Sequence, residues 1–430
     1  MSSAINDVEE QKQKQEPLVN EAPGEFSKKK IITYYALTVG AVLLIVILVL
    51  IIAIALDEPL QEENAKNNYF TSKYISDENT VIKLFNSELK TSISSMKIDD
   101  KEINITSEYT FESKGEHTIE VVLNKELDSM EKLFENCANL TEVNLSQVKT
   151  DNVSSMEEMF YDCIKLTSVD LSQLNTSKVV NMRNLFNGCF ELETVNLNNF
   201  DSSNTEFMEN MFYACINLKS LDLSGFKTQN VKNMTGMFYR CNSLEKLDIS
   251  NFITSNVLSM KMMFDSCASL KYLNLDHFDT SKVTDMSYMF SSVSILTSID
   301  LNKFNTQKVT KMNNMFYGCK SLKEINLSSF DTSNLEEMGN MFYNTKSLTS
   351  LDLKNFVTNK VKNMGAAFGK CENLQFLDIR KFSTESLTIK NDIFPDIAKN
   401  GEINYNSKIF NEAYFNNSNI ETWKKNDIQE

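Results

Sequence analysis

Histidine, proline and tryptophan are scarce in this 430-residue chain, which has only His117 and His277, four prolines and one tryptophan. A Ser-His-Asp triad, a two-histidine zinc helix or a histidine general base therefore has almost no residues to use. Each histidine directly follows an acidic residue in a polar stretch, which predicts that both lie on the surface. The scarcity disfavours most familiar enzyme chemistries, and we predict a protein that is not an enzyme.

Positive charge is also in short supply. The chain has 43 Lys and Arg against 58 Asp and Glu, a formal net charge of −15. A surface of this sign repels the phosphate backbone of nucleic acids. We therefore expect no nucleic-acid partner.

One long stretch, residues 31–56, lacks charge altogether. It exceeds the roughly 20 residues that a helix needs to cross a bilayer core of about 30 Å. Lysines precede it and Asp57 follows it, so the positive-inside rule places residues 1–30 in the cytosol and the C-terminal ectodomain outside the cell membrane. The alternative is a signal peptide cleaved after Ala55, but the apolar part of such peptides is only about 7 to 15 residues long.

Phenylalanine recurs every 26 residues at ten successive positions. Methionine stands four residues before each of these phenylalanines, and leucine stands six residues after each. A fixed period of this length is the signature of a stacked-repeat protein, in which neighbouring units bury a continuous core. The repeat phenylalanines are Phe134, Phe160, Phe186, Phe212, Phe238, Phe264, Phe290, Phe316, Phe342 and Phe368.

The repeat that begins at Phe264 illustrates the unit. Its L-x-x-L-x-L segment, residues 270–275, ends in a period of two and predicts a short strand. Apolar residues in 283–290 fall on one face of a helical turn or two, with Thr280 and Ser281 as candidate N-caps. We predict an α/β fold: a leucine-rich-repeat solenoid of ten 26-residue repeats with short parallel strands on the concave face, short helices on the convex face, and one transmembrane helix.

The predicted organisation has six parts. They are a disordered cytosolic tail (1–30), a transmembrane signal anchor (31–56), a stalk (57–80), a β-rich N-terminal cap (81–129), the solenoid (130–389) and a C-terminal cap (390–430).

Sulfur-containing side chains follow the repeat. The methionines are in register with the phenylalanines, which favours a core role over a soft binding surface or a thioether metal site. All eight cysteines lie three residues after a repeat phenylalanine, where Val293 and Thr345 also occur. Cys319 and Cys371 consequently have no cysteine in an adjacent repeat. This favours buried free thiols over disulfides between repeats, and zinc is less favoured still.

The position ten residues after each repeat phenylalanine is always Asp or Asn. These oxygens offer two interpretations: they bind Ca²⁺ or a basic partner, or they satisfy one another and the nearby backbone. The second is favoured because Ca²⁺ takes six or more oxygens and no 12-residue calcium loop is present. Tyr272 and Phe376 are predicted aromatic anchors for a protein partner. The candidate ligand face comprises Asp170, Asp222, Asp248, Tyr272, Asp300, Asp352, Phe376 and Asp378, and we predict no cofactor.

Eight Asn-x-Ser/Thr sequons are candidate N-glycosylation sites in a secreted or surface-displayed ectodomain. They begin at Asn104, Asn139, Asn144, Asn152, Asn175, Asn233, Asn326 and Asn416.

The unit LKSLDLSGFKTQNVKNMTGMFYRCNS (218–243) resembles that of the BspA-like leucine-rich-repeat surface proteins of bacteria and protists, which are related to the mycoplasma lipoprotein repeat. The resemblance covers 130–389, and KGEHTIEVVLN (114–124) resembles the cap that precedes such repeats. It implies a cell-surface protein, with adhesion to host or matrix proteins or to other cells suggested for some relatives, and it carries over no catalytic residue. We predict that the solenoid serves adhesion and binds a protein or glycoprotein ligand on its concave face.

The chain departs from bacterial members in its mode of attachment. It has an N-terminal anchor, and no cysteine that could carry a lipid precedes Cys137. This departure and the Asn- and Lys-rich composition suggest a single-celled eukaryote. Two other functions stay open: a surface coat that self-associates laterally, and a surface hydrolase that uses the carboxylate ladder.

Overall fold

The computed structural model describes residues 42–52, 68–389, 392–416 and 418–429. The chain divides into two compact units, Met1–Glu62 and Glu63–Glu430. In the first unit, residues 42–52 form a helix of exposed side chains; the rest of the predicted span 31–56 and the predicted tail 1–30 lie outside the described residues. Within the described ranges, no helix combines the length and the apolar character that a membrane crossing requires.

Antiparallel strands close the N-terminal end of the second unit. The strand β1 lies between β6 and the first strand of the solenoid, and alternate residues of β1, including Phe70 and Tyr74, are buried. The structure thus differs from the predicted stalk, since part of 57–80 is a central strand of the cap. The six cap strands are β1 (Tyr69–Ser76), β2 (Thr80–Lys83), β3 (Ile93–Ile98), β4 (Lys101–Ile103), β5 (Glu108–Phe111) and β6 (Gly115–Leu123), and a 3-10 helix spans Ser87–Ser92.

His117 lies inside this cap, and the prediction that it is a surface residue is wrong. It is 8% exposed and stacks on Phe111 with ring centroids 4.0 Å apart. Its Nδ1 lies 2.7 Å from a carboxylate oxygen of Asp99, and its Nε2 lies 3.2 Å from the carbonyl oxygen of Ser113. The ring therefore joins the turn between β3 and β4 to the turn before β6. His277, in contrast, is exposed as predicted.

Short parallel strands recur in nine of the ten repeats, as the L-x-x-L-x-L pattern predicts. Their middle residues point into the core and their first and last residues are mostly exposed. The exception is the repeat that begins at Phe264, in which residues 271–275 form no strand. The strands are β7 (Leu140–Asn144), β8 (Ser168–Asp170), β9 (Thr194–Asn196), β10 (Ser220–Asp222), β11 (Lys246–Asp248), β12 (Ser298–Asp300), β13 (Glu324–Asn326), β14 (Ser350–Asp352) and β15 (Phe376–Asp378).

The predicted helices on the opposite side are absent from the described residues. The segment around each repeat phenylalanine, for example 155–163, is instead a succession of tight turns, which we call the turn face. The N–H groups of Met156, Glu158 and Phe160 donate to carbonyls of the next coil at 2.9 Å. Between them, the N–H of Met159 donates to the carbonyl of Met156, three residues earlier, and the N–H of Glu157 donates to the hydroxyl of Ser155.

Backbone geometry explains why these segments are not α-helices. The residues two before and two after each repeat phenylalanine have φ between about +50° and +80°, as at Asn184 (53°) and Gly188 (79°). An α-helix requires φ near −60° throughout and N–H bonds to the carbonyl four residues earlier. Here every second N–H is bonded to the neighbouring coil, so the helical pattern cannot form.

Stacked rings fill the centre of the solenoid. The repeat phenylalanines lie 5.5–6.0 Å apart from Phe134 to Phe368, and the stack continues to Phe394. The repeat methionines are buried beside them, which agrees with a core role. All eight cysteines are buried free thiols, and most donate to the carbonyl of the phenylalanine in the preceding coil, as Cys241 does to Phe212 at 3.1 Å. Burial raises the pKa of the Cys241 thiol to about 12.

A second ladder is made of hydroxyls sixteen residues after each repeat phenylalanine, and nine of its ten members are buried. The Thr228 hydroxyl donates to the carbonyl of Ile253 at 3.0 Å and accepts from the N–H of the same residue at 2.7 Å. Ser202 makes the equivalent pair with Lys227, and Thr280 makes it with Asn305. Thr280 therefore joins two coils, and the predicted N-cap role is wrong.

The C-terminal residues continue the coil geometry. The strand β16 (Glu402–Tyr405) pairs in parallel with β15, and β17 (Lys424–Asp427) pairs in parallel with β16. Two 3-10 helices, Glu412–Phe415 and Asn419–Thr422, bring aromatic side chains over the last coil, where Phe394 lies 5.9 Å from Phe415.

Candidate binding surface

The outward side chains of the repeat strands form one surface, which we call the strand face; the sequence predicts it to be concave. Its Asp and Asn ladder caps the strand ends. In each repeat the Asp or Asn Oδ1 accepts a hydrogen bond from the N–H two residues later, as Asp222 does from Ser224 at 2.9 Å and Asn326 from Ser328 at 3.1 Å. This is an Asx turn, which only these two side chains form well. The ladder therefore has a structural role in every repeat.

These hydrogen bonds also lower the pKa of two exposed carboxylates of the ladder, Asp222 and Asp248. The hydroxyl and N–H of Ser224 hold the pKa of Asp222 below its ordinary value. The N–H and hydroxyl of Ser250 do the same for the pKa of Asp248. Both groups are exposed, so they present negative charge to solvent down to acidic pH.

The strand face contains most, but not all, of the predicted ligand residues. Asp170, Asp222, Asp248, Asp300 and Asp352 are exposed in successive or alternating coils. Tyr272 is 72% exposed, the largest exposed fraction among the described large apolar and aromatic side chains.

Asp378 and Phe376 do not fit the prediction. Asp378 is only 2% exposed, because Arg380 donates to its Oδ2 at 2.6 Å and Asn404 of β16 donates to it at 3.0 Å. Phe376 is half-buried. Both residues lie beside the additional coil formed by β16, which covers this end of the strand face.

Tyr272 borders a groove of about 540 Å³ in the middle of the strand face. The groove lies beside β11 and is lined by Glu245, Lys246, Leu247, Asp248, Ile249, Ser250, Lys271, Tyr272 and Asn274. Lys271 and Glu245 form an ion pair at 2.6 Å. We call this depression the Tyr272 groove.

The Tyr272 groove coincides with the one repeat that lacks a strand. The same repeat contains the only exposed histidine, His277, whose Nε2 lies 2.8 Å from the carbonyl oxygen of Ile249 in the groove wall. The repeat thus keeps its core residues, such as Leu273, while its outward residues depart from the Ser and Thr that occupy Tyr272's position in most other repeats.

The part of the chain that the structure describes contains no preformed cluster of metal-ligating side chains. No three His, Cys, Asp or Glu side chains come close enough together there to hold an ion. In each Asp of the ladder, one carboxylate oxygen accepts a hydrogen bond within its own turn, so fewer oxygens remain to coordinate Ca²⁺.

The sequons differ in accessibility. Asn104 and Asn416 are exposed in the caps, and Asn144 and Asn326 are exposed on the strand face. Asn139 donates to the carbonyl of Ile75 at 2.8 Å. The side-chain amides of Asn152, Asn175 and Asn233 each donate to a neighbouring carboxylate.

Three features of this architecture do not follow from the apolar periodicity. The hydroxyl ladder was visible as an unbroken row of Thr or Ser at one repeat position, and the left-handed turns as frequent Asn and Gly at two others. The Tyr272 groove had a weaker signal: an aromatic residue at a position where five of the other nine repeats have Ser or Thr.

Two protein families match the chain. The family described as "Mycoplasma protein of unknown function, DUF285" matches residues 128–246, 207–298 and 293–406. The family described as "BspA type Leucine rich repeat region (6 copies)" matches residues 64–180. A search of curated proteins gives no match.

Among solved structures, the chain is similar to one in the Toll–Spatzle complex, described as a molecular hub in Drosophila development and innate immunity. The identity is 14% and the TM-score is 0.23, over 59% of this chain and 40% of that one. The chain thus spans less than half the length of this relative.

The family matches cover well over half of the chain and confirm the resemblance deduced from the repeat unit. Leucine-rich-repeat proteins generally bind protein ligands, and solenoids of this kind are typically non-enzymatic. The chain belongs to the family described as Mycoplasma protein of unknown function, DUF285, and is a BspA-like leucine-rich-repeat surface protein.

Proposed function

We propose that this chain is a cell-surface, non-enzymatic recognition protein that binds a protein or glycoprotein through the strand face and serves adhesion. Residues 31–56 anchor it in the lipid bilayer with the N-terminus in the cytosol and Glu63–Glu430 outside. The charge-free stretch and its flanking lysines support this arrangement.

One observation carries the proposal: the strand face separates a fixed scaffold from variable outward residues. Asx turns and buried leucines recur in every repeat, whereas the position eight residues after the repeat phenylalanine changes from Ser168 to Lys246, Tyr272 and Glu324. Such a surface can acquire a specific ligand without loss of packing. An exposed aromatic at its centre is a typical binding anchor.

The test is binding of purified Glu63–Glu430, a compact unit closed by both caps, to purified surface and matrix proteins, with and without Ca²⁺. The triple variant K246S, Y272S and E324S places at each position a residue that other repeats carry there. We expect saturable binding that this variant abolishes. The control variant, V180S and L258S, changes exposed apolar residues beside the turn face and should bind normally.

A second candidate, a coat that self-associates laterally, is favoured by one apolar stripe. Ile164 and Phe190 are each 37% exposed at the same position of consecutive coils, and Ile216 continues the row. The end strand β17 exposes two lysines, which disfavours end-to-end strand pairing. Concentration-dependent sedimentation that I164S and F190S abolish, together with no captured ligand, would establish the coat and overturn recognition.

A further inference from the structure

The Tyr272 groove combines one exposed ring with several hydrogen-bonding side chains. Tyr272 is 72% exposed and offers its ring face to a ligand. Asp248 and Asn274 each commit Oδ1 to their own turns, at 3.0 Å from the N–H groups of Ser250 and Asp276. This leaves Oδ2 of Asp248 as an acceptor and the amide group of Asn274 as a donor. Lys246 adds a donor at the same groove.

The positions of these groups are fixed by the fold. Asp248 and Asn274 occupy equivalent positions in adjacent coils, and these coils are joined by the N–H of Ser269, which donates to the carbonyl of Asn242 at 3.1 Å, and by His277, whose Nε2 lies 2.8 Å from the carbonyl oxygen of Ile249. The Asx turns hold both side chains, and the Lys271–Glu245 ion pair joins the same two coils at the groove rim. The groove is therefore organised before any ligand arrives, which lowers the entropy cost of binding.

The chemistry of these groups indicates the ligand class. A pyranose ring presents C–H groups on its faces and hydroxyls around its edge, so it stacks on an aromatic ring while its hydroxyls bond to carboxylate and amide groups. The groove volume of about 540 Å³ falls within the range of roughly 300–1,000 Å³ of small-ligand sites. We propose that the Tyr272 groove binds a saccharide, with Tyr272 as the stacking platform and Asp248, Asn274 and Lys246 as hydrogen-bonding partners. This deepens the proposed function and rests on it, since the saccharide is the glycan of a surface partner.

A peptide anchor site would be built differently. Aromatic hot spots in protein interfaces are ringed by contacts that exclude water. The Tyr272 groove is instead rimmed by charged, exposed side chains, Glu245, Lys246 and Lys271. These favour a hydrated, hydroxyl-rich ligand.

The experiment uses the full chain in mild detergent and a printed array of defined N-glycan, O-glycan and glycosaminoglycan oligosaccharides, followed by calorimetric titration of the best free oligosaccharide. We expect saturable binding by the unmodified chain. Y272A should weaken it at least tenfold, and Y272F should retain most of it because the ring remains. D248N keeps the Asx turn, since Asn occupies that position in four repeats, and should weaken binding by roughly two- to tenfold through loss of the charged acceptor.

The control is L258A, which removes an exposed apolar side chain outside the strand face and should bind saccharide like the unmodified chain. Absence of any array binding, or binding that Y272A leaves intact, overturns the saccharide site. If a surface protein is captured through the strand face and capture survives enzymatic removal of its glycans, the recognition function stands while the saccharide proposal falls. If neither glycan nor protein binds, both fall.

Discussion

The two long surfaces of the solenoid are held together differently. On the turn face, backbone bridges connect every coil from Ser155 to Ile389 without interruption. On the strand face, the repeat strands fall into separate groups, with breaks between β9 and β10, between β11 and β12, and between β13 and β14. The turn face, not the strand face, is therefore the continuous support of the molecule.

This difference accounts for the outward residues that vary between repeats of this chain. The turn face and the hydroxyl ladder depend on buried groups with specific partners, and unpaired buried groups are costly. The strand face depends on its leucines and Asx turns, whereas its outward side chains contribute little to packing. Recognition residues can therefore change on the strand face while the support remains intact.

The largest expected effect comes from the phenylalanine stack. Replacing Phe238 with Ala removes a ring that lies 6.0 Å from Phe212 and 5.8 Å from Phe264. We expect a loss of about 3–5 kcal/mol in the free energy of unfolding, measured in urea on Glu63–Glu430. Y272A on the strand face should change it by less than about 0.5 kcal/mol. Equal losses for the two variants would remove the distinction between the faces.

The hydroxyl ladder gives the next largest effect. Thr228→Val keeps the shape but deprives both the N–H and the carbonyl of Ile253 of their partner. We expect a loss of about 2–3 kcal/mol, measured by the same urea titration. Thr228→Ser retains the hydroxyl, as Ser202 does naturally, and should lose less than half as much. A Ser variant as unstable as the Val variant would show that the methyl group, not the hydroxyl, matters.

Asp265 tests the turn face through pH. It is 6% exposed, and burial raises its pKa from 3.8 to about 6. The folded state therefore binds this proton more tightly than the unfolded state does. The contribution of Asp265 to the free energy of unfolding is fully present below about pH 4 and is lost as the pH rises through about 6. Asp265→Asn should stabilise the protein by about 2 kcal/mol at pH 8 and have little effect at pH 4, measured by urea unfolding at both values.

The control for Asp265 lies on the strand face. The pKa of Asp222 is lowered, so its ionised form is the favoured one, and Asp222→Asn should not stabilise the protein at pH 8. Stabilisation of equal size at both positions would point to net charge rather than burial.

The smallest effect concerns the Asx turns. Asp222→Ala removes the acceptor for the N–H of Ser224 and should cost about 1 kcal/mol in urea unfolding. Asp222→Asn keeps that acceptor and should stay within about 0.5 kcal/mol of the unmodified protein. If Ala and Asn behave alike, the ladder has no role in capping the strands.

The repeat, the core and the strands could be predicted from the sequence because each depends on one periodic pattern. The turn face could not, since apolar residues such as Val283, Met286 and Met289 suit a helix and a chain of tight turns equally. The deciding signal lay elsewhere, in residues that adopt positive φ readily, such as Asn340 and Asn344.

The candidate site was predictable in part. Tyr272 is exposed as expected, since its alternation with buried leucines places it outside. The burial of Asp378 was not predicted. Asn404 stands one 26-residue period after it, but the coil that contains Asn404 lies beyond the last repeat phenylalanine, and Arg380 takes a position where other repeats have Ser, Asn, Asp or Lys. The Tyr272 groove depends on the path of the main chain at 271–275, which side-chain periodicity does not report.

The coil-to-coil hydrogen bonds also determine how the molecule responds to force. They run along the solenoid axis, so a force that pulls the two ends apart breaks the hydrogen bonds of one coil after another. Each 26-residue coil that detaches adds roughly 86–94 Å of extended chain. When such a solenoid is held at both ends, its coils detach in repeated steps of similar length, and each step dissipates energy. The chain can therefore extend a long way before its last coil unfolds.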